Sequence, residues 1–215
     1  MKTPLHCLIE KGSDDAPVIV LLHGRGSDER DLFPLGRELH PTATVVSVRA
    51  PFPGAPWGYG GGWAWYRFMG GTAPEPESFA GGQEALDAFI RTDLPTKLGF
   101  VPRQLVVGGF SQGGTSALGF ALRNPGRVAG VMVFSGFLAD HPSIDVARIG
   151  ATPVWWGHGT ADAAIGFEKA EAGWAALTGA GTALTSVTRT GMGHSIDEVE
   201  LTSAREWLDG VLAGV

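Results

Sequence analysis

Ser111 stands in the run Gly108-Gly109-Phe110-Ser111-Gln112-Gly113-Gly114, directly after the apolar Leu105-Val106-Val107. A serine hydroxyl becomes a nucleophile when a base removes its proton, and that base needs an acid to orient it. Both residue types recur later, in turns of the same glycine-rich kind: Gly157-His158-Gly159-Thr160-Ala161-Asp162 and Gly191-Met192-Gly193-His194-Ser195. A fourth such turn, His23-Gly24-Arg25-Gly26-Ser27, precedes them all. The chemistry these residues could do together is acyl transfer through a serine.

Each assignment has a bland rival. With 33 glycines in 215 residues, a G-x-S-x-G pattern arises by composition about a quarter of the time, so the pattern alone is weak. Ser111 could also serve only as a helix N-cap. Gly113 and Gly114 argue against that, because glycines weaken a first helical turn, whereas small residues suit a strained, close-packed one. Among six histidines, His194 is the best base, since it lies in a glycine-flanked loop before a helix; His23 is expected to brace its own loop. Asp162 is the acid, with Asp140 in reserve. An oxyanion formed by attack on a carbonyl needs fixed donors. The backbone N–H of Gln112, at a helix start, and that of Arg25, in the first turn, are of the required type.

The elements that must position these residues are legible as alternating runs. Pro17–Leu22, Thr44–Val48, Gln104–Val107, Val128–Phe134, Pro153–Trp156 and the weaker Thr185–Thr188 read as strands. Most are continuous rather than alternating, which suits strands buried on both faces of a parallel sheet. Leu86, Phe89, Ile90 and Leu94 form one helical stripe, and Val199, Trp207, Leu208 and Val211 another, with Phe167–Leu177 a third helix. Ser195 through Glu198 reads as a capping box that starts the last helix. Alternating strands and helices imply an α/β sheet with helices on both faces and ligands at the carboxyl ends of its strands. Residues 51–82 form the exception, a loop or flap rich in proline, glycine and aromatics within a single domain spanning 1–215.

Composition narrows the function classes. A net charge of −6 argues against nucleic-acid binding or an anionic membrane surface. No apolar run reaches the roughly 18 residues of a membrane span, and the N-terminus lacks the apolar stretch of a secretion signal. The single cysteine, Cys7, leaves no disulfide framework and no cysteine-based zinc site. The expectation is a cytoplasmic protein without stable membrane insertion; a homodimer is left open.

Together the segments LHGRGSDERDL, GGFSQGG, GHGTAD and GMGHSIDE give the chain a likeness to a known family. It resembles the phospholipase/carboxylesterase family of α/β-hydrolases, small serine esterases that include the acyl-protein thioesterases. The likeness spans roughly residues 17–212. It implies an α/β-hydrolase fold without a cap domain, with Ser111, Asp162 and His194 as the triad and Arg25 and Gln112 as oxyanion donors. No metal or organic cofactor is implied. The tryptophan-rich GYGGGWAWYRFMGG points to a wall for small short-acyl or aryl esters, lined by Trp57, Trp63, Trp65, Tyr66 and Phe68 with Phe137, Leu138 and Met192. Hydrolysis of thioesters or lysophospholipids with longer acyl chains would use the same machinery. A non-catalytic ligand-binding role is the reading from another class.

Overall fold

Short runs of Val, Ile and Leu become strands because β-branched side chains pack well on a pleated surface buried on both sides. In the computed structural model, which describes residues 4–13 and 16–213, seven strands form the main sheet. These are β1 (Cys7–Glu10), β2 (Val18–Leu22), β3 (Thr44–Val48), β6 (Leu105–Phe110), β7 (Gly130–Phe134), β8 (Val154–Gly159) and β9 (Leu184–Arg189). Two more, β4 (Phe52–Pro53) and β5 (Trp63–Ala64), pair only with each other. The order in the large sheet is β1-β3-β2-β6-β7-β8-β9, parallel throughout except for β1, which runs antiparallel to β3. Strand β1 is an addition to the strands expected from the sequence. Its four residues are all half-buried, as befits an edge strand with no continuous apolar run.

Helices cover both faces. On one side lie α2 (Pro76–Ala88), α3 (Leu94–Leu98), α4 (Gln112–Arg123) and α5 (Phe167–Gly179). Leu86, Phe120 and Leu177 of these helices, with Phe89 after α2, share one core with Val18, Val20 and Leu22 of β2. On the other side α1 (Leu35–Leu39) and α6 (Glu198–Ala213) bring Leu39, Leu201, Ala204 and Leu208 against Ile19 and Leu21. Successive β2 residues thus enter opposite cores, the period-two rule of a strand. Each fully buried aliphatic side chain contributes about 1.5–3 kcal/mol. Five residues, Phe89–Asp93, form a π-helical turn joining α2 to α3, so the expected stripe Leu86, Phe89, Ile90 and Leu94 is buried along one continuous rod.

Three expectations need revision. The capping box does not form: α6 begins at Glu198, and Asp197 caps it by accepting the Glu200 N–H at 2.9 Å. Ser195 lies two residues before that cap. In the expected apolar stripe, Val199 is exposed, and Leu201, Ala204 and Leu208 face the core. Finally, the segment 51–82 is loop only in part, because α2 starts within it at Pro76.

Between β7 and β8 the chain carries only a short 3₁₀ turn, Val146–Ile149, so no helical cap is inserted there. Among the described residues no helix is long and apolar enough to cross a membrane. The strand order reverses at β2, which lies between β3 and β6. Such a switch point opens a crevice beyond the strand ends. The turns that follow β2 and β6 meet there.

Candidate active site

The turn after β6 is tight because its glycines leave no alternative. A Cβ on Gly113 would lie 1.9 Å from the Leu22 carbonyl oxygen, and one on Gly109 2.6 Å from the same atom. Ser111 itself sits at φ 55°, ψ −119°, a conformation that an L-residue adopts only when its surroundings hold it there. Its N–H donates to the Phe134 carbonyl at 2.8 Å, and its carbonyl accepts from Thr115 N–H at 3.0 Å. Although Ser111 occupies the N-cap position of α4, its side chain makes no capping bond. The hydroxyl instead lies 2.9 Å from His194 Nε2.

His194 comes from the loop between β9 and α6. Its Nδ1 is 2.7 Å from Asp162 Oδ2. A carboxylate accepts only, so the proton belongs on Nδ1, and Nε2 presents its lone pair to the Ser111 hydroxyl. The Phe110 ring packs beside the imidazole, centroids 4.7 Å apart. Asp162 is buried, and its second oxygen accepts the N–H groups of Ala164 and Ile165 at 2.9 and 2.8 Å. Asp140, the reserve acid, has its N–H bonded to the Thr72 carbonyl, and nothing places its carboxylate beside His194.

Two further histidines frame the site. His158, fully buried, has Nε2 2.8 Å from the Ile165 carbonyl and 3.3 Å from Asp162 Oδ2. It must therefore donate from Nε2, which steadies the Asp162 loop. Burial lowers its pKa and keeps it neutral. His23, also buried, accepts the Ala50 N–H on Nε2 at 3.0 Å and donates from Nδ1 to the Gly24 carbonyl at 2.7 Å. Burial lowers its pKa as well. Both ring nitrogens are used inside the fold, so His23 braces the turn, as expected.

Arg25 and Gln112 line the same cleft as Ser111. Gln112 is the first residue of α4, where N–H groups lack intrahelical partners and the helix dipole favours an anion. Gly24 brings the β2 turn close: a Cβ there would stand 3.7 Å from Ser111 Cβ. The Gln112 side chain has a second task that the sequence analysis missed. Its Oε1 accepts the Trp65 N–H and its Nε2 donates to the Tyr66 carbonyl, both at 2.8 Å. The elbow is thereby clamped to the aromatic segment.

The cleft around Ser111 holds about 230 Å³. Of the eight expected wall residues, Tyr66, Phe68 and Phe137 line it. The others do not. Trp65 is buried with its indole N–H on the His23 carbonyl at 3.0 Å. Trp63 lies under Arg49 and faces a separate hollow with Leu5 and Phe52. Trp57 packs on Phe52 and Tyr59. Leu138 borders a different surface depression, and Met192 offers its carbonyl to the Ala161 N–H. Phe110, Ala164 and Ile165 take their place on the wall. Phe110 and Ile165 are apolar neighbours of Ser111 and Asp162 in sequence, a signal that was available. Among the described residues no group of three His, Cys, Asp or Glu side chains is placed to hold a metal ion.

Residues 5–212 match the family described as Phospholipase/Carboxylesterase. A probable carboxylesterase of Oryza sativa subsp. japonica is 39% identical over 114 residues, which span 51% of this chain and 42% of that relative, under half its length. A second probable carboxylesterase from the same organism is 30% identical over 208 residues, covering 88% of this chain and 86% of the relative. Among solved structures, esterase PE8 superposes with a TM-score of 0.84 at 28% identity, over 97% of this chain and all of that one.

Proposed function

The chain belongs to the phospholipase/carboxylesterase family of α/β-hydrolases, and we propose that it is a serine carboxylesterase acting on small, short-acyl or aryl esters. The observation that carries this reading is the relay Ser111–His194–Asp162, with contacts of 2.9 and 2.7 Å at a cleft. His194 takes the Ser111 proton as Oγ attacks the ester carbonyl. The oxyanion is met by the N–H groups of Arg25 and Gln112. As the intermediate collapses, the C–O bond to the alcohol breaks and His194 protonates the leaving oxygen, leaving an acyl-enzyme. Water, activated by the same imidazole, then releases the acid and restores Ser111. Asp162 stabilises the imidazolium at both stages.

The cleft volume of about 230 Å³ lies below the usual range for drug-sized ligands, which supports small substrates over long acyl chains. We take the cytoplasm as its place of action, with Cys7 as a free thiol. The test is hydrolysis of p-nitrophenyl esters from acetate to palmitate by the parent and by Ser111→Ala. Turnover greatest on short chains and lost in the variant is the expected result. A maximum at long chains would move the assignment to lipid or thioester substrates, and equal activity in both proteins would remove Ser111 from the mechanism.

A further inference from the structure

Ester hydrolysis, as written above, uses the Arg25 backbone and leaves its side chain without a task. That side chain lies over two rings, with Cζ 4.7 Å from the Tyr59 centroid and 5.7 Å from the Phe68 centroid. Arg25 and Phe68 line the cleft together with Ser111. The platform is fixed. The Tyr59 hydroxyl accepts the Phe68 N–H at 2.8 Å. Gly26 N–H donates to the Trp63 carbonyl and Trp63 N–H to the Ser27 carbonyl, each at 2.8 Å. A Cβ on Gly26, which has φ +81°, would come 2.6 Å from the Tyr59 carbonyl oxygen.

Among the described residues, Arg25 has no carboxylate within 4.0 Å and no hydrogen-bond partner for its guanidinium. Arg30, Arg37, Arg49 and Arg67 all hold carboxylates. Stacking on aromatic rings uses the face of a guanidinium and leaves its N–H donors pointing outward in the plane. That planar fork matches the two oxygens of a carboxylate. The rings also displace water from one side, which strengthens the attraction. Two features oppose an anion: the Asp31 carboxylate on the same cleft and the net charge of −6. The second acts from a distance and is screened beyond about 8 Å at physiological salt.

We propose that the Arg25 guanidinium is a carboxylate-recognition group, so that this cleft selects esters bearing a free carboxylate a few bonds from the scissile carbonyl. The carboxylate can sit on the acyl side, as in a half-ester of a small dicarboxylic acid, or on the leaving alcohol. This inference rests on the ester-hydrolase reading and specifies its substrate class.

The test measures kcat/KM on two matched pairs: monoethyl glutarate against ethyl hexanoate, and 3-acetoxybenzoate against 3-acetoxybenzamide. The readout is the ratio of charged to neutral substrate within each protein, so any backbone effect of a substitution at Arg25 cancels. The parent ratio exceeds one for at least one pair, and the pair that shows it identifies the side that carries the carboxylate. It falls about tenfold in Arg25→Gln, as expected for losing one charge-assisted pair, and less in Arg25→Lys. It rises in Asp31→Asn and shrinks between about 0.05 and 0.5 M salt. A parent ratio at or below one for both pairs, or one unchanged in Arg25→Gln and Arg25→Lys, overturns the inference while leaving ester hydrolysis standing. Absence of turnover on neutral esters as well as charged ones overturns both.

Discussion

Replacing Glu200 with glutamine should stabilise the protein by an amount that grows with pH. Glu200 is fully buried in the first turn of α6. Among the described residues neither of its carboxyl oxygens has a hydrogen-bond partner, and one packs so close to β8 that a Cβ on Gly157 would lie 2.4 Å from it. Burial, reinforced by the Asp197 charge, raises its pKa from 4.5 to about 8 against the opposing pull of Arg189, which is paired with Asp197 at 2.8 Å. In the unfolded chain the carboxyl ionises near its ordinary value, so the stability of the protonated fold is complete below that value. It declines as pH rises from about 4.5 to about 8 and is flat above. A gap of roughly 3.5 units at about 1.4 kcal/mol each sets a ceiling near ~5 kcal/mol, and relaxation around the site brings the expected loss to ~2–3 kcal/mol. Glu200→Gln keeps the shape and has no proton to lose. Urea unfolding of both proteins from about pH 4.5 to about 8.5 should show a difference that opens steadily with pH. A difference constant across that range would refute the reasoning.

Other outcomes follow from the same geometry. Gly113→Ala drives a methyl into the Leu22 carbonyl oxygen, so it should cost more than about 3 kcal/mol or prevent folding, read from soluble yield and urea midpoint. Gln112→Leu removes the two bonds to residues 65 and 66 and leaves a buried N–H and a buried carbonyl unpaired, a loss of roughly 2–4 kcal/mol by urea unfolding. Asp162→Asn should leave the fold intact by circular dichroism while lowering kcat about a thousandfold or more, because the amide favours the wrong tautomer of His194.

How much of this was readable in advance depended on whether the determining contacts were local. Val18–Leu22 and Val154–Trp156 announce buried strands because both are short unbroken apolar runs, rich in β-branched or aromatic side chains and bounded by turn residues. The structure brings Ser111, Asp162 and His194 together, and each stands in a strand-end turn whose glycines are themselves a signal. Five of the eight expected wall residues lie elsewhere, for the opposite reason. Trp63 and Trp65 are two residues apart and look alike in sequence, yet Trp65 is drawn inward by the His23 carbonyl and Trp63 is covered by Arg49. Both partners are distant along the chain. Ser195 and Asp197 are both good capping residues, and the choice between them is consistent with Arg189 on β9, which holds Asp197 in place. Glu200 gave no local hint of burial, since a glutamate beside Glu198 and Val199 reads as solvated helix surface. The placement of the Arg25 guanidinium over two rings was equally hidden, because Tyr59 and Phe68 reach it from another segment.

The central claim is that Ser111 is the nucleophile of an acyl-transfer relay. Intact-mass spectrometry after treatment with a fluorophosphonate, followed by peptide mapping, addresses it without any assumption about substrate. The expected result is one covalent adduct per chain, located on Ser111, formed slowly in His194→Ala and absent in Ser111→Ala. No adduct on the parent, or an adduct on another residue that persists in Ser111→Ala, would contradict it.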